Sequence, residues 1–201
     1  MSIMHGRHDP REASTTSLVA VAAILVASAI AFTAMTASVT QLLGAGAGAV
    51  PAAFHGLAAF LYLFVGTIGL YLGWRLVTGR IRAFAELQLL ATVSVAFSLI
   101  AIMFGNWLYI YYRATAPESP RSFFIANAPD IHKIFFEFKE FAALYTLPLT
   151  VVAAYLLWRY GTQVMDRTWL RYSVAVLLGL SFFYLVVAFG LGAAVSKLKA
   201  A

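Results

Sequence analysis

The sequence predicts an all-α integral membrane bundle with five transmembrane helices, and three observations carry that expectation. Hydrophobic residues make up 62% of the 201 positions and charged residues 11%, whereas soluble domains carry about a quarter charged residues. No Asp, Glu, Lys or Arg occurs between Glu12 and Arg75, a run of 62 residues that no globular surface could solvate. The remaining charges cut the chain into apolar runs that reach or exceed the roughly 20 helical residues needed to cross a bilayer core of about 30 Å. Strands of an outer-membrane barrel would instead alternate in segments of about ten.

Residues 1–17 read as a cytoplasmic tail, 18–196 as the five-span domain and 197–201 as a C-terminal tail. The first span is expected from Leu18 to Leu43. A signal peptide ending near Ala34 or Ala37 is the competing reading, but the apolar run is long for an h-region. Gly44-Ala-Gly-Ala-Gly-Ala-Val50 followed by Pro51 then marks a tight hairpin, with glycine past one helix end and proline opening the next. The second span is expected from Pro51 to Val77, the third from Phe84 to Tyr112, the fourth from Ile131 to Trp158 and the fifth from Trp169 to Val195. The longest connection, Arg113 to Asp130, contains Pro117, Pro120 and Pro129 and is too short and turn-rich to form a domain. Any site must therefore be built from the helices.

Charge sets the orientation. Arg7, Arg11, Arg75, Arg80, Arg82, Arg159, Arg167 and Arg171 fall on one side, and Arg113, Arg121, Lys133, Lys197 and Lys199 on the other. The positive-inside rule then puts the N-terminus in the cytoplasm and the C-terminus outside, as in a bacterial inner membrane protein. Trp74, Trp107, Trp158 and Trp169 sit at span ends, where amphipathic rings prefer the interface. The +6 net charge belongs to these short loops, so nucleic acid is set aside and the lipid bilayer is the expected surrounding.

The chain has no cysteine, which excludes disulfides, cysteine-ligated iron–sulfur clusters, covalently attached c-type haem and thiol nucleophiles. Of four histidines, His55 and His132 occupy corresponding places near the outer ends of separate spans. Two neutral imidazoles from different helices can hold a haem b iron axially inside a bundle. Steps of three and four residues from His55 reach Ala59, Tyr62, Gly66, Gly69 and Gly73, a small-residue stripe that should face protein. The other reading of that stripe is a packing surface alone. The tail histidines His5 and His8 are assigned no role.

The fourth span begins Asp130-Ile-His-Lys-Ile-Phe-Phe-Glu-Phe-Lys-Glu-Phe141. Its Glu137, Lys139 and Glu140 fall roughly 9 to 14 Å beyond the helix start, where unpaired charge is costly. Glu137 and Glu140 are the candidate catalytic groups, as a proton path or as ligands of a quinone. The plainer alternative makes Lys133 and Glu137 an i,i+4 pair and Lys139 a snorkelling cation. Arg113 is a candidate partner for haem propionates. Asp130, His132 and His55 could alternatively form a two-histidine, one-carboxylate set for copper, zinc or non-haem iron, although alternate residues of a helix do not share a face. Pro148 should kink the helix further along and free a carbonyl.

The run Gly105-Asn-Trp-Leu-Tyr-Ile-Tyr-Tyr-Arg113, followed by Phe138-Lys-Glu-Phe141, resembles a pattern in small bacterial multispan proteins. The general layout, histidines near one face of a helical bundle, is similar to that of many membrane cytochromes b, a likeness of architecture alone. Three functions follow as expectations. The first is a bis-histidine haem b subunit exchanging electrons with quinone or an outer-face redox subunit. The second is a metal-dependent intramembrane enzyme, and the third a non-catalytic accessory subunit of a membrane complex.

Overall fold

The computed structural model describes residues 49–117 and 119–200. The expected first span, nearly all of the glycine-rich connection after it and the tail histidines lie outside these residues. Within them the protein is helical, with α1 at Ala49–Val77, α2 at Phe84–Tyr112, the short α3 at Pro120–Asn127, a π-helical turn at Ile131–Phe136, α4 at Glu137–Tyr160, the four-residue α5 at Gln163–Asp166 and α6 at Thr168–Ala200. Four helical segments are long and apolar enough to cross a membrane: Ala49–Val77, Phe84–Tyr112, Ile131–Tyr160 and Thr168–Leu198. They correspond to four of the five expected spans.

The four long helices run alternately up and down. The main packing joins α1 to α2, α2 to α4, α4 to α6 and α6 back to α1. Consecutive spans are therefore neighbours in a closed ring, as short connections require of antiparallel helices, and α1 stands diagonally across from α4. The outward surface carries Phe60, Phe64, Met103, Ile110, Phe138, Tyr155 and Phe183, each at least half exposed, a belt suited to acyl chains. The glycine stripe of α1 turns the other way, since Tyr62, Gly69 and Gly73 are buried.

Inside, the bundle is layered along its axis. At the end bearing Arg75 and Arg159, an apolar floor of Leu76, Leu87, Leu157, Val164, Leu170 and Val174 is fully buried. The middle is held by hydroxyls: Tyr62 Oη meets Ser181 Oγ at 2.5 Å, Ser98 Oγ meets Thr146 Oγ1 at 2.7 Å, and Ser181 Oγ donates to the Thr146 carbonyl at 3.3 Å. These bonds tie all four long helices together where burial alone supplies no driving force between segments already in lipid. A cavity of about 10 Å³ among Tyr62, Ser94, Thr150 and Ser181 is large enough for a single water. At the opposite end, Tyr112, Phe124, Phe136 and Val195 form an aromatic layer. Helix α3 drops Phe124 into that layer. Its start is set by Ser119, whose Oγ accepts the Ser122 N–H at 3.2 Å, with Pro120 in the first turn, as N-terminal capping favours.

The α1–α2 turn shows why a glycine occupies position 79. Its φ is +66°, and the Arg80 N–H reaches back to the Arg75 carbonyl at 2.9 Å while the Gly79 N–H reaches Leu76 at 3.1 Å, a Schellman closure. Gly79→Ala is expected to destabilise the protein by about 1 kcal/mol or more, because an L side chain is strained at positive φ and its Cβ would lie 3.2 Å from an Arg171 guanidinium nitrogen. An unfolding midpoint equal to the wild type would contradict this.

Candidate functional site

Polar and charged groups collect between the hydroxyl layer and the aromatic layer. His55 projects from α1 towards α2, where Gly105 makes room for it; a Cβ there would lie 3.0 Å from the imidazole. The His55 Nδ1–H donates to the Ala101 carbonyl at 2.8 Å. A carbonyl only accepts, so the proton sits on Nδ1 and the neutral ring presents the Nε2 lone pair. Metal-binding histidines are commonly oriented in this way.

His132 is buried in the π-helical turn, and its Nδ1 is 2.8 Å from the Tyr112 hydroxyl. The Tyr112 ring stacks on Phe136 at 3.9 Å, and His132 tilts against both. Tyr112→Phe would leave a buried ring nitrogen without its partner, at a cost of about 1–3 kcal/mol. The expected lowering of the unfolding midpoint in detergent checks this, and an unchanged midpoint would show the bond to be dispensable.

The two histidines are held at different levels of α2. His55 packs at Ala101 and Gly105, and His132 at Tyr112, so the backbone levels differ by about 10 Å between Gly105 and Tyr112. On the facing span the Phe136 ring, stacked on Tyr112, is 6.3 Å from His132, and Lys139 Nζ lies 5.2 Å above the same ring. A metal–imidazole bond is about 2 Å. The donor chemistry of each ring fits an axial haem ligand, and the two rings pack against α2 about two helical turns apart. Among the described residues, no three His, Asp or Glu side chains come together as a metal site, so Asp130, His132 and His55 do not form the expected three-ligand set.

The carboxylates have partners other than those the helical wheel suggests. Glu137 pairs with Arg113 at 3.6 Å, both side chains about half exposed, and the Arg113 guanidinium lies 4.6 Å above the Tyr109 ring. Arg113 is thus engaged with Glu137 and Tyr109. Among the described residues no ion pair joins Lys133 to Glu137. The physical reason is the π-helical turn through Ile131–Phe136, whose i→i+5 bonding breaks the i,i+4 alignment assumed for those two residues. Glu140, part-buried, interacts with the Tyr109 hydroxyl and lies within electrostatic reach of Lys139, Glu137 and Arg113. Lys139 is part-buried, with its ammonium over the Phe136 ring. Its stem lies against α6, where a Cβ on Gly192 would come within 3.1 Å of Cε.

Sequence reasoning missed Tyr112, Tyr109 and the cradle at Gly192. A signal existed for the last, a glycine within a span that faces a charged residue of a neighbouring span, but only the ring order of the helices makes it visible. No family model, curated protein or solved structure matches the chain.

Proposed function

We propose that this chain is a membrane electron-transfer subunit whose interior site exchanges protons and electrons with a quinone-class carrier. The supporting observation is the one-sided polar file: Arg113–Glu137 at the mouth, then Glu140 with Tyr109, Lys139 and His55, then the hydroxyl layer, closed below by the apolar floor. Intramembrane charges of this kind are rare outside functional sites, and the closed floor suits a ligand pocket better than a channel. Glu140 is the proton-exchanging group in this reading, and Glu137 with Arg113 connects it to water. The basic residues support an orientation with the mouth outside. Arg75, Arg80, Arg82, Arg159, Arg167 and Arg171 lie at or beyond the helix ends on the floor side, the side that the positive-inside bias puts in the cytoplasm of a bacterial inner membrane.

A second reading, haem b ligation by His55 or His132, is supported by the anchoring of each imidazole through Nδ1. One experiment addresses both. The protein is purified from its native membrane, its reduced-minus-oxidised spectrum is recorded, and a solvent extract is analysed for quinone. Quinone at about one per chain supports the first reading, and sharp haem α and β bands lost in a histidine variant support the second. A colourless protein without quinone would leave the accessory-subunit expectation in their place.

A further inference from the structure

The α1–α2 turn at the floor end of the bundle gathers guanidinium groups. Arg75, in the last turn of α1, donates from Nε and Nη2 to the Arg80 carbonyl at 3.2 and 2.8 Å. Arg171, in the first turn of α6, borders the same turn: its Nη1 is 3.2 Å from where a Cβ on Gly79 would stand, and its Nη2 donates to Thr168 Oγ1 at 3.2 Å. Arg80 carries a third guanidinium on the turn itself and is exposed. These contacts fix position without supplying a counter-charge. Among the described residues the ion pair is Arg113–Glu137, at the opposite end, and the buried Nε of Arg171 meets no acceptor among them.

From this convergence we infer that Arg75, Arg80 and Arg171 form a site for the phosphodiester of an anionic phospholipid. Level and charge select the ligand. The 29 residues of α1 span about 43 Å at 1.5 Å per residue, against about 30 Å of hydrocarbon and about 40–45 Å with the headgroups included. The last turn of α1 therefore stands among lipid phosphates. Tyr71 and Trp74, 57% and 65% exposed one turn further in, offer the apolar surface that acyl chains cover and aromatic rings prefer at the interface. Guanidinium forks match phosphate oxygens in geometry and charge. A zwitterionic headgroup brings its own ammonium, which three guanidiniums repel, whereas a phosphatidylglycerol-class headgroup brings none. A soluble phosphate presents the same oxygens but has no chains to lie along the exposed rings. The site stands at the opposite end of the bundle from the polar file and does not depend on its function.

The test is native mass spectrometry of the full chain released from neutral detergent micelles. It is titrated separately with phosphatidylglycerol, with phosphatidylcholine of the same acyl chains, and with glycerol 3-phosphate. The first phosphatidylglycerol is expected to bind about tenfold or more tightly than phosphatidylcholine, and Arg75→Gln and Arg171→Gln should each weaken it about fivefold. Arg80→Gln, which alters an exposed side chain, carries the test if Arg171→Gln does not fold. The control is Arg159→Gln, which removes the same charge from the same end of α4, where the guanidinium lies 5.8 Å over the Tyr160 ring. Because α4 is diagonal to α1 and about 0.15 M salt screens charges beyond about 8 Å, this variant should change the affinity less than about twofold. Equal weakening by Arg159→Gln would reduce the effect to diffuse charge and overturn the site. Equal affinity for the two lipids, or glycerol 3-phosphate bound as tightly as phosphatidylglycerol, would also overturn the lipid assignment.

Discussion

On the function proposed above, Glu140→Gln is expected to slow quinol-dependent electron transfer by about 10²-fold or more in membranes carrying the variant chain. A positioned acid–base group contributes about 10² to 10⁴ in rate, and glutamine preserves the shape and the contact with Tyr109 while removing the exchangeable proton. Protein level and quinol affinity should change little, which separates loss of proton transfer from loss of the fold. The contrasting variant is Glu137→Gln. Its carboxylate is about half exposed and paired with Arg113 at 3.6 Å, and exposed pairs of this kind contribute at most about 1 kcal/mol. Its rate is expected to stay within about fivefold of the wild type. Equal effects of the two substitutions would show that Glu140 has no special place in the reaction.

Gly105→Ala is expected to destabilise the protein by about 1–3 kcal/mol, the usual range for overpacking. The added Cβ would lie 3.0 Å from both Cε1 and Nδ1 of His55, against a ring already tied to the Ala101 carbonyl. Relief requires the imidazole to leave that bond or α1 to move away from α2. The unfolding midpoint measures the first consequence. The second is spectroscopic: the Nδ1 proton resonance of His55, deshielded by its carbonyl partner, should shift towards that of a solvated imidazole. A variant with the wild-type midpoint and an unshifted resonance would mean that the close approach is not a constraint. Gly56→Ala is the natural control, because nothing lies within 4 Å of a Cβ at that position.

The spans were legible because charge and hydropathy act at each residue independently. The interval from Phe84 to Tyr112, bounded by Arg82 and Arg113, is the helix observed, and α1 begins only two residues before Pro51. The stripe through Tyr62, Gly69 and Gly73 likewise faces the interior, since a helix turns through a fixed angle per residue. Legibility ends where that angle changes. Nothing in Ile-His-Lys-Ile-Phe-Phe distinguishes a π-helical turn from an α-helical one. The difference lies in which backbone carbonyl each N–H reaches, and a wheel drawn at constant angle therefore set Lys133 beneath Glu137. The partners of Glu137 and Lys139 were hidden for another reason. Arg113 and Gly192 are remote in the chain, and only the closed order of the helices brings them to the fourth span. His55 and His132 share an end of the bundle, as their positions imply, but sequence depth is measured along each helix from its own start, and the packing of each ring on α2 sets the level that matters.

The apolar floor has an electrical consequence. A transmembrane potential falls across whatever thickness lacks water and mobile charge. In this bundle the unbroken low-dielectric stretch runs from the hydroxyl layer to the end bearing Arg75 and Arg159. Lys139 stands about 12 Å from the other end of a core of about 30 Å. Carrying a unit charge across the whole membrane corresponds to about 2.3 kcal/mol per 100 mV, so a charge that travels only from the mouth to Lys139 crosses the lesser part of the field, under about 1 kcal/mol. Protonation in this part of the bundle should therefore follow the pH on the mouth side and respond only weakly to changes in membrane voltage.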